Sequence, residues 1–155
     1  MISRGKKYNN QEATTRLERY CAYQERCHRE LDEKLQSWGF PYQDRAEVIV
    51  RLIERGFLNE ERFARAYVRG KFRQKQWGRM KIRQGLKQKF ISDKLISMAM
   101  EEIDEQDYVN TLKSLIDKKT KLIKEKNAFI KNQKLAQYVY SKGFETELFW
   151  DLIRE

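Results

Sequence analysis

The sequence contains few of the residues that build catalytic centres. Its 155 residues include one histidine, two cysteines and one proline. A zinc site needs four ligands, and no Cys/His cluster supplies them. Phosphate-binding loops of the GxxxxGKS/T or GxGxxG type are also missing. His28 is expected on a helix surface or at a cap. We therefore expect a protein that is not an enzyme and that uses no metal and no cofactor.

Long apolar runs are missing as well. No stretch approaches the roughly 20 residues that a membrane-spanning helix needs, and the start of the sequence, MISRGKKYNN, has no signal-peptide core. Cys21 and Cys27 lie six residues apart, so on a helix they point to different sides and a disulfide between them is not expected. Free thiols are typical of a reducing compartment. We expect a cytoplasmic monomer without membrane contact.

Acidic residues are absent from Arg62–Ser92, a stretch of 31 residues with eleven Lys or Arg side chains. The whole chain has a formal net charge of +10, so its basic character is local. Such a surface favours a polyanionic partner, because phosphates that become neutralised release their counterions. The partner is either nucleic acid or the acidic groove of a protein. A solvated helix face is the alternative, but such faces normally mix charges of both signs.

Helix-forming residues dominate the rest of the composition, and no stretch alternates with period two. Apolar spacing and glycine stops predict an all-α fold. We expect a frayed basic N-terminus over residues 1–12 and three-helix units over 13–58, 59–103 and 104–155. Gly39, Gly56 and Gly143 are expected to end helices, and Asn59 and Asp104 to begin them.

A pattern recurs in these units. LQSWGF (Leu35–Phe40), LKQKFI (Leu86–Ile91) and VYSKGF (Val139–Phe144) begin 51 and 53 residues apart. A period near 50 with three helices per copy is typical of tandem repeats, which form elongated, curved arrays with a concave binding surface. The alternative is a chance likeness between short helices that end at glycine.

Three segments resemble the RecX family of recombination regulators. They are ERCHRELDEKLQSWGF (Glu25–Phe40), GFLNEERFARAYV (Gly56–Val68) and KQWGRMKIRQGLKQK (Lys75–Lys89). Their order and spacing match the family from about Leu17 to Ile103, and the last third matches only in helix spacing. Arg79 stands where the family usually has Pro, His28 where Ser is common, and Phe90 where Gly is usual. The substitution at Phe90 leaves the end of that helix open.

The resemblance implies tandem three-helix repeats and a function. Proteins of this family bind the RecA recombinase, particularly its nucleoprotein filament. They inhibit its strand-exchange, ATPase and co-protease activities in recombination, repair and the SOS response. The family is thought to lie along the helical groove of the filament, and such a position suits an elongated, curved cation.

Within the basic segment we expect ten residues to contact the filament or its DNA. They are Arg69, Lys71, Arg73, Lys75, Trp77, Arg79, Lys81, Arg83, Lys87 and Lys89. Contacts through phosphates predict weak sequence specificity, with single- or double-stranded DNA as the ligand. Trp77 is expected either to stack on a base or to pack between helices.

Besides regulation of RecA, two other functions are alternatives for this sequence: DNA binding without RecA and catalysis on nucleic acid. The chain is either a RecA regulator or a sequence-independent DNA-binding protein that acts without RecA. A nucleic-acid enzyme would need a metal or acid–base set, and the acidic residues of 101–107 are interpreted as helix caps. The lysines of 118–126 form either a second contact patch or a solvated face, since Asp117 and Glu125 lie among them.

Overall fold

The computed structural model describes residues 5–154, and within that range it contains nine α-helices, one short 3-10 helix and no strand. The first three helices are α1 (Asn10–Tyr23), α2 (His28–Ser37) and α3 (Tyr42–Glu54). The next three are α4 (Glu60–Arg73), α5 (Arg79–Gln88) and α6 (Asp93–Ala99), with the 3-10 turn Met100–Glu102 after them. The last three are α7 (Glu105–Leu122), α8 (Ala128–Ser141) and α9 (Thr146–Arg154). The predicted all-α fold of three-helix repeats is confirmed.

Helix ends follow the caps that the sequence predicts. Asn59 and Asp104 accept hydrogen bonds from the backbone N–H groups of Arg62 and Asp107 at the starts of α4 and α7. Gly56 follows α3 with a φ of 77°, a left-handed conformation that costs glycine little. Side-chain capping satisfies backbone donors that a helix start leaves unpaired, so these boundaries are set locally.

The second helix of every repeat ends in the same turn. The residue that terminates it has a positive φ of 79° at Gly39, 60° at Phe90 and 96° at Gly143. The next residue donates its N–H to the carbonyl five positions earlier, and the pairs are Phe40–Leu35, Ile91–Leu86 and Phe144–Val139. This is the Schellman pattern of helix termination. The copies inferred from LQSWGF, LKQKFI and VYSKGF are therefore structurally equivalent.

Phe90 keeps this turn although it has a Cβ. Its left-handed backbone is unfavourable for a bulky residue. The ring is 74% exposed, and the Arg29 guanidinium of α2 lies 4.5 Å from its centroid. The helix end that the sequence left open is thus the same as in the other two repeats.

Two hydrophobic cores organise the nine helices. The N-terminal core lies within the first repeat and includes Leu17, Leu31 and Leu52. The shared core runs through the second and third repeats and includes Tyr108 and Phe144. Cys21 lies in the N-terminal core and Cys27 in the shared core. Both are free thiols, as expected, and burial raises the pKa of each to about 11.

The frayed N-terminus expected over residues 1–12 is wrong for residues 7–12. Lys7 donates its N–H to the Trp38 carbonyl at 2.8 Å, and the Tyr8 ring packs edge-on against Trp38. Asn9 and Glu12 form a capping box at the start of α1. Local capping and one aromatic contact therefore order this segment, while residues 1–4 lie outside the described part of the chain.

The molecule has a large surface for its mass. Its accessible area is 10107 Å², whereas a compact monomer of 18.8 kDa has about 8300 Å². A larger area is expected of an array in which each repeat contacts its neighbours in sequence. It supports the predicted elongation, and curvature stays a prediction. None of the described helices is both long and apolar enough to cross a bilayer.

Replacing Phe90 tests the strain at this turn. Phe90→Gly and Phe90→Ala both remove the ring, but only glycine relieves the left-handed backbone. We expect the Gly variant to exceed the Ala variant by about 1 kcal/mol in free energy of unfolding, measured by urea titration. Gly39→Ala exchanges glycine for alanine at the equivalent position of the first repeat and should lower the free energy of unfolding by a similar amount, about 1 kcal/mol. Equal stability of the two Phe90 variants would contradict the assignment.

Candidate nucleic-acid interface

The basic segment, Arg62–Ser92, forms α4 from its third residue onward, the connection after it, all of α5 and the turn that leads to α6. In α4, Phe63, Val68 and Phe72 face the shared core, so the charged residues between them lie on the remaining surface. In α5, Ile82 and Leu86 are the buried positions. The helical period therefore separates an apolar face from a cationic one.

Several of the predicted contact residues pair with carboxylates of other segments. Arg69 donates to Glu102 at 2.7 Å, and Lys89 donates to Glu30 of α2 at 3.0 Å. Arg65 pairs with Glu61, Glu101 and Glu102, and Arg62 with Glu25. The segment lacks acids in its own sequence, but the fold supplies them from elsewhere.

Arg79 links the second repeat to the third. Its guanidinium lies 3.8 Å from the centroid of the Tyr108 ring and donates to Glu145 at 2.9 Å, with Glu105 as a second partner. Its backbone N–H donates to the Tyr108 hydroxyl at 3.0 Å. Burial acts to raise the pKa of Glu145, but the hydrogen bonds from Tyr108 and Arg79 outweigh it and hold that pKa below its ordinary value. Arg79 thus acts mainly as a structural cation.

Five of the nine predicted cations have no carboxylate partner within residues 5–154. They are Lys71, Arg73, Lys75, Lys81 and Arg83. Lys87 makes one long contact of 3.8 Å to the exposed Asp93, and an exposed pair of this kind contributes little. The cationic surface that remains consists of these five residues and Lys87; we call it the open cationic surface.

Trp77 lies where this surface meets the shared core. The indole is half-buried against the core. The Lys71 and Lys81 ammonium nitrogens lie 4.8 and 4.6 Å from the ring centroid. The packing interpretation of Trp77 describes this position, and its ring is also a cation–π partner of both lysines.

Lys142 is a residue that the sequence analysis missed. It follows α8, and its Nζ donates to the Lys75 carbonyl at 2.9 Å. Burial lowers the pKa of Lys142, and the positive charge of Lys81 lowers it further. The contact spans 67 residues, and no sequence spacing indicated it.

Gly78 and Gly143 bring the two repeats together. The Gly78 N–H donates to the Lys142 carbonyl at 2.7 Å, and the Met80 N–H donates to the Gly143 carbonyl at 3.0 Å. The start of α5 therefore meets the end of α8, and donors at the start of α5 are used inside the protein. A Cβ at Gly78 would lie 2.3 Å from the Gly143 carbonyl carbon.

The acidic residues of 101–107 serve as a cap and as partners of arginines. Asp104 caps α7, while Glu101, Glu102 and Glu105 pair with arginines of the basic segment. Within residues 5–154 no group of three His, Cys, Asp or Glu side chains is arranged to hold a metal ion. His28 is exposed at the first position of α2.

The lysine-rich segment of 118–126 divides at the end of α7. Its first lysines belong to the last turns of that helix, and Lys119 lies 4.9 Å from the centroid of the Tyr138 ring. Lys124 and Lys126 lie in the connection to α8. Both interpretations of this segment stay open.

A methyl group at Gly78 tests the junction. The φ of Gly78 is −79°, so space and not backbone conformation is limiting. We expect Gly78→Ala to lower the free energy of unfolding by about 3 kcal/mol, because backbone atoms must separate. Gly70→Ala is the matched control: no atom outside its own helix lies within 4 Å of the added Cβ. It should raise stability by about 0.5–1 kcal/mol. Equal urea midpoints for the two variants would contradict the close approach.

Comparison with protein families gives three consecutive matches. The first, second and third three-helix domains of RecX match residues 13–52, 59–100 and 105–153. These ranges follow the helices α1–α3, α4–α6 and α7–α9.

Curated relatives named "Regulatory protein RecX" are similar to this chain. The relative from Clostridium perfringens (strain 13 / Type A) is 30% identical over 128 residues, which cover 81% of this chain and 59% of the relative. The relative from Haemophilus influenzae (strain PittEE) is 31% identical over 125 residues, which cover 80% of this chain and 81% of the relative. The chain thus spans just over half the length of the Clostridium relative and most of the Haemophilus one.

Solved structures share the fold. The crystal structure of RecX from Lactobacillus salivarius has a TM-score of 0.83 at 23% identity and covers 94% of each chain. A second, the crystal structure of regulatory protein RecX, has a TM-score of 0.85 at 23% identity and covers 94% of this chain and 73% of the other. With three matched domains in order along its sequence, the chain belongs to the RecX family.

Proposed function

We propose that this protein binds the RecA nucleoprotein filament and inhibits its strand-exchange, ATPase and co-protease activities. Membership of the RecX family and the regulatory names of the relatives support this function. The observation that carries it is the open cationic surface on the second repeat, because its cations have no strong carboxylate partner among the described residues. The proposal includes the cytoplasm as the place of action, since Cys21 and Cys27 are free thiols.

The proposal gives different roles to the ten candidate residues. Lys71, Arg73, Lys75, Lys81, Arg83 and Lys87 are proposed to contact the filament, including phosphates of its DNA. Arg79 is proposed to hold the second and third repeats together through Glu145. Arg69 and Lys89 are proposed to contribute less to filament contact, because their charges are already paired. Trp77 is proposed to support Lys71 and Lys81, which lie against its ring.

ATP hydrolysis by preformed RecA filaments on single-stranded DNA tests the proposal. We expect the wild-type protein to suppress hydrolysis at or below one molecule per RecA. A variant with Arg73→Glu, Lys75→Glu and Arg83→Glu should lose most of this effect, because reversed charges repel phosphates. All three positions are exposed, so the variant should fold.

The matched control carries the same change of charge elsewhere. Arg19, Lys94 and Lys113 are exposed, and no hydrogen bond, ion pair or ring contact among the described residues includes their side chains. Arg19→Glu, Lys94→Glu and Lys113→Glu should leave inhibition near that of the wild type. Equal loss in both variants would show that net charge and not this surface is responsible.

A sequence-independent DNA-binding protein that acts without RecA is the second candidate. The same surface supports it, since phosphate contacts alone would use these cations. In that case the wild type binds naked DNA with a steep salt dependence, of slope about −0.9 per phosphate on duplex, yet leaves ATP hydrolysis unchanged.

A further inference from the structure

We propose that Lys71, Lys81 and Lys142 form a binding site for one phosphate of a nucleic-acid strand, beside the indole of Trp77. This inference deepens the proposed function, on which it rests for the nature of the ligand. The three side chains come from α4, from α5 and from the turn after α8. The site therefore exists only when the second and third repeats are joined.

Three positive charges meet here without compensation. The Lys71 and Lys81 nitrogens both lie within 5 Å of one ring centroid, and so within about 10 Å of each other, no more than one Debye length at roughly 0.1 M salt. Lys142 is next to Gly143 in sequence, and a Cβ added at Gly143 would lie 2.4 Å from the Lys81 Cβ. Burial and then the positive charge of Lys81 lower the pKa of Lys142. No ion pair between a carboxylate and any of these lysines occurs in the described part of the chain.

Among the described residues, these three lysines lack an acid although they lie where the second and third repeats meet. Other cations at repeat junctions have one, as Arg79 has Glu145 and Lys89 has Glu30. A cluster that is left repulsive in the free protein gains attraction when an anion enters, because each ammonium can then donate to it. Lys142 uses one hydrogen bond on the Lys75 carbonyl and retains two donor hydrogens.

An adjoining groove favours a nucleic-acid strand over an isolated phosphate ion. It has a volume of about 530 Å³, within the usual range of ligand sites, and Lys81, Arg83 and Lys87 line it together with Met80 and Tyr140. The Tyr140 ring is 59% exposed, and exposed aromatic rings stack on bases without selecting a sequence. A strand can thus place one phosphate beside Trp77 and continue along the groove.

Binding of a labelled oligothymidylate to the free protein tests the site. We expect Lys142→Gln to weaken binding about five-fold at 0.1 M salt and to reduce the slope of log K against log salt by about 0.7, the value for one phosphate of a single strand. Lys142→Arg should bind with the affinity and the salt slope of the wild type, since arginine keeps the positive charge and hydrogen-bond donors. Lys94→Gln, which removes an exposed lysine from α6, should change neither beyond its effect on net charge.

Lys81→Gln is a second variant, because the Lys81 side chain makes no hydrogen bond within residues 5–154 and its loss should leave the fold intact. It should reproduce the change of slope. Unchanged slopes for both Lys142→Gln and Lys81→Gln, with melting temperatures like that of the wild type, would overturn the site.

Inorganic phosphate provides the other arm of the test. If millimolar phosphate quenches the fluorescence of a Trp38→Phe, Trp150→Phe background while both glutamine variants keep the wild-type slope on DNA, the site takes the free ion and the inference is wrong. The RecA assay separates the two claims. If the wild type inhibits RecA while the Lys142 variants bind DNA normally, the site is wrong and the proposed function stands. If the glutamine variants lower the salt slope while the wild type does not inhibit RecA, the site stands and the proposed function is wrong.

Discussion

The close approach of two glycine backbones decides where the cations of this protein lie. Gly78 and Gly143 allow the start of α5 to meet the end of α8 through direct hydrogen bonds. The contact brings Arg79 over Tyr108 and places Lys142 beside Lys75 and Lys81. Side chains on either glycine would separate these elements. One steric constraint therefore fixes both a structural cation and a cluster of lysines that have no carboxylate partner among the described residues.

The distribution of acids is the second determinant of the surface. An exposed ion pair contributes about 0–1 kcal/mol to stability, so the pairs of Arg69 and Lys89 do little to hold the fold. Their larger effect is on phosphate binding, because a cation that is already paired with a carboxylate gains less free energy from a phosphate. The fold thereby divides the basic segment into cations that are paired with acids from other segments and an open cationic surface.

Sequence patterns predicted the repeats and their caps because these are local. The Schellman turn needs only a positive-φ residue and an apolar residue next to it, and this signal survives even where Phe90 replaces glycine. Asn59 and Asp104 likewise cap helices that begin beside them. Features that are set within five residues were therefore predicted correctly, and the recurrence of the local turn revealed the period near 50 residues.

Sequence patterns did not predict the charge partners, because these partners are distant along the chain. Arg69, Lys89 and Arg79 find their acids 33, 59 and 66 residues away, and only the packing of repeats decides which acid arrives. Lys142 was not predicted for the same reason, because it belongs to the third repeat and contacts Lys75 of the second repeat. The ordering of residues 7–12 also depends on a distant residue, Trp38.

Acetylation of lysines on the protein, alone and on RecA–DNA filaments, is the most direct measurement of the central claim. Mass spectrometry gives the rate at each lysine. The account predicts that the filament slows acetylation of Lys71, Lys75 and Lys81 and leaves Lys94 and Lys113 unchanged. Protection confined to the lysines of 118–126, or equal at all lysines, would contradict it.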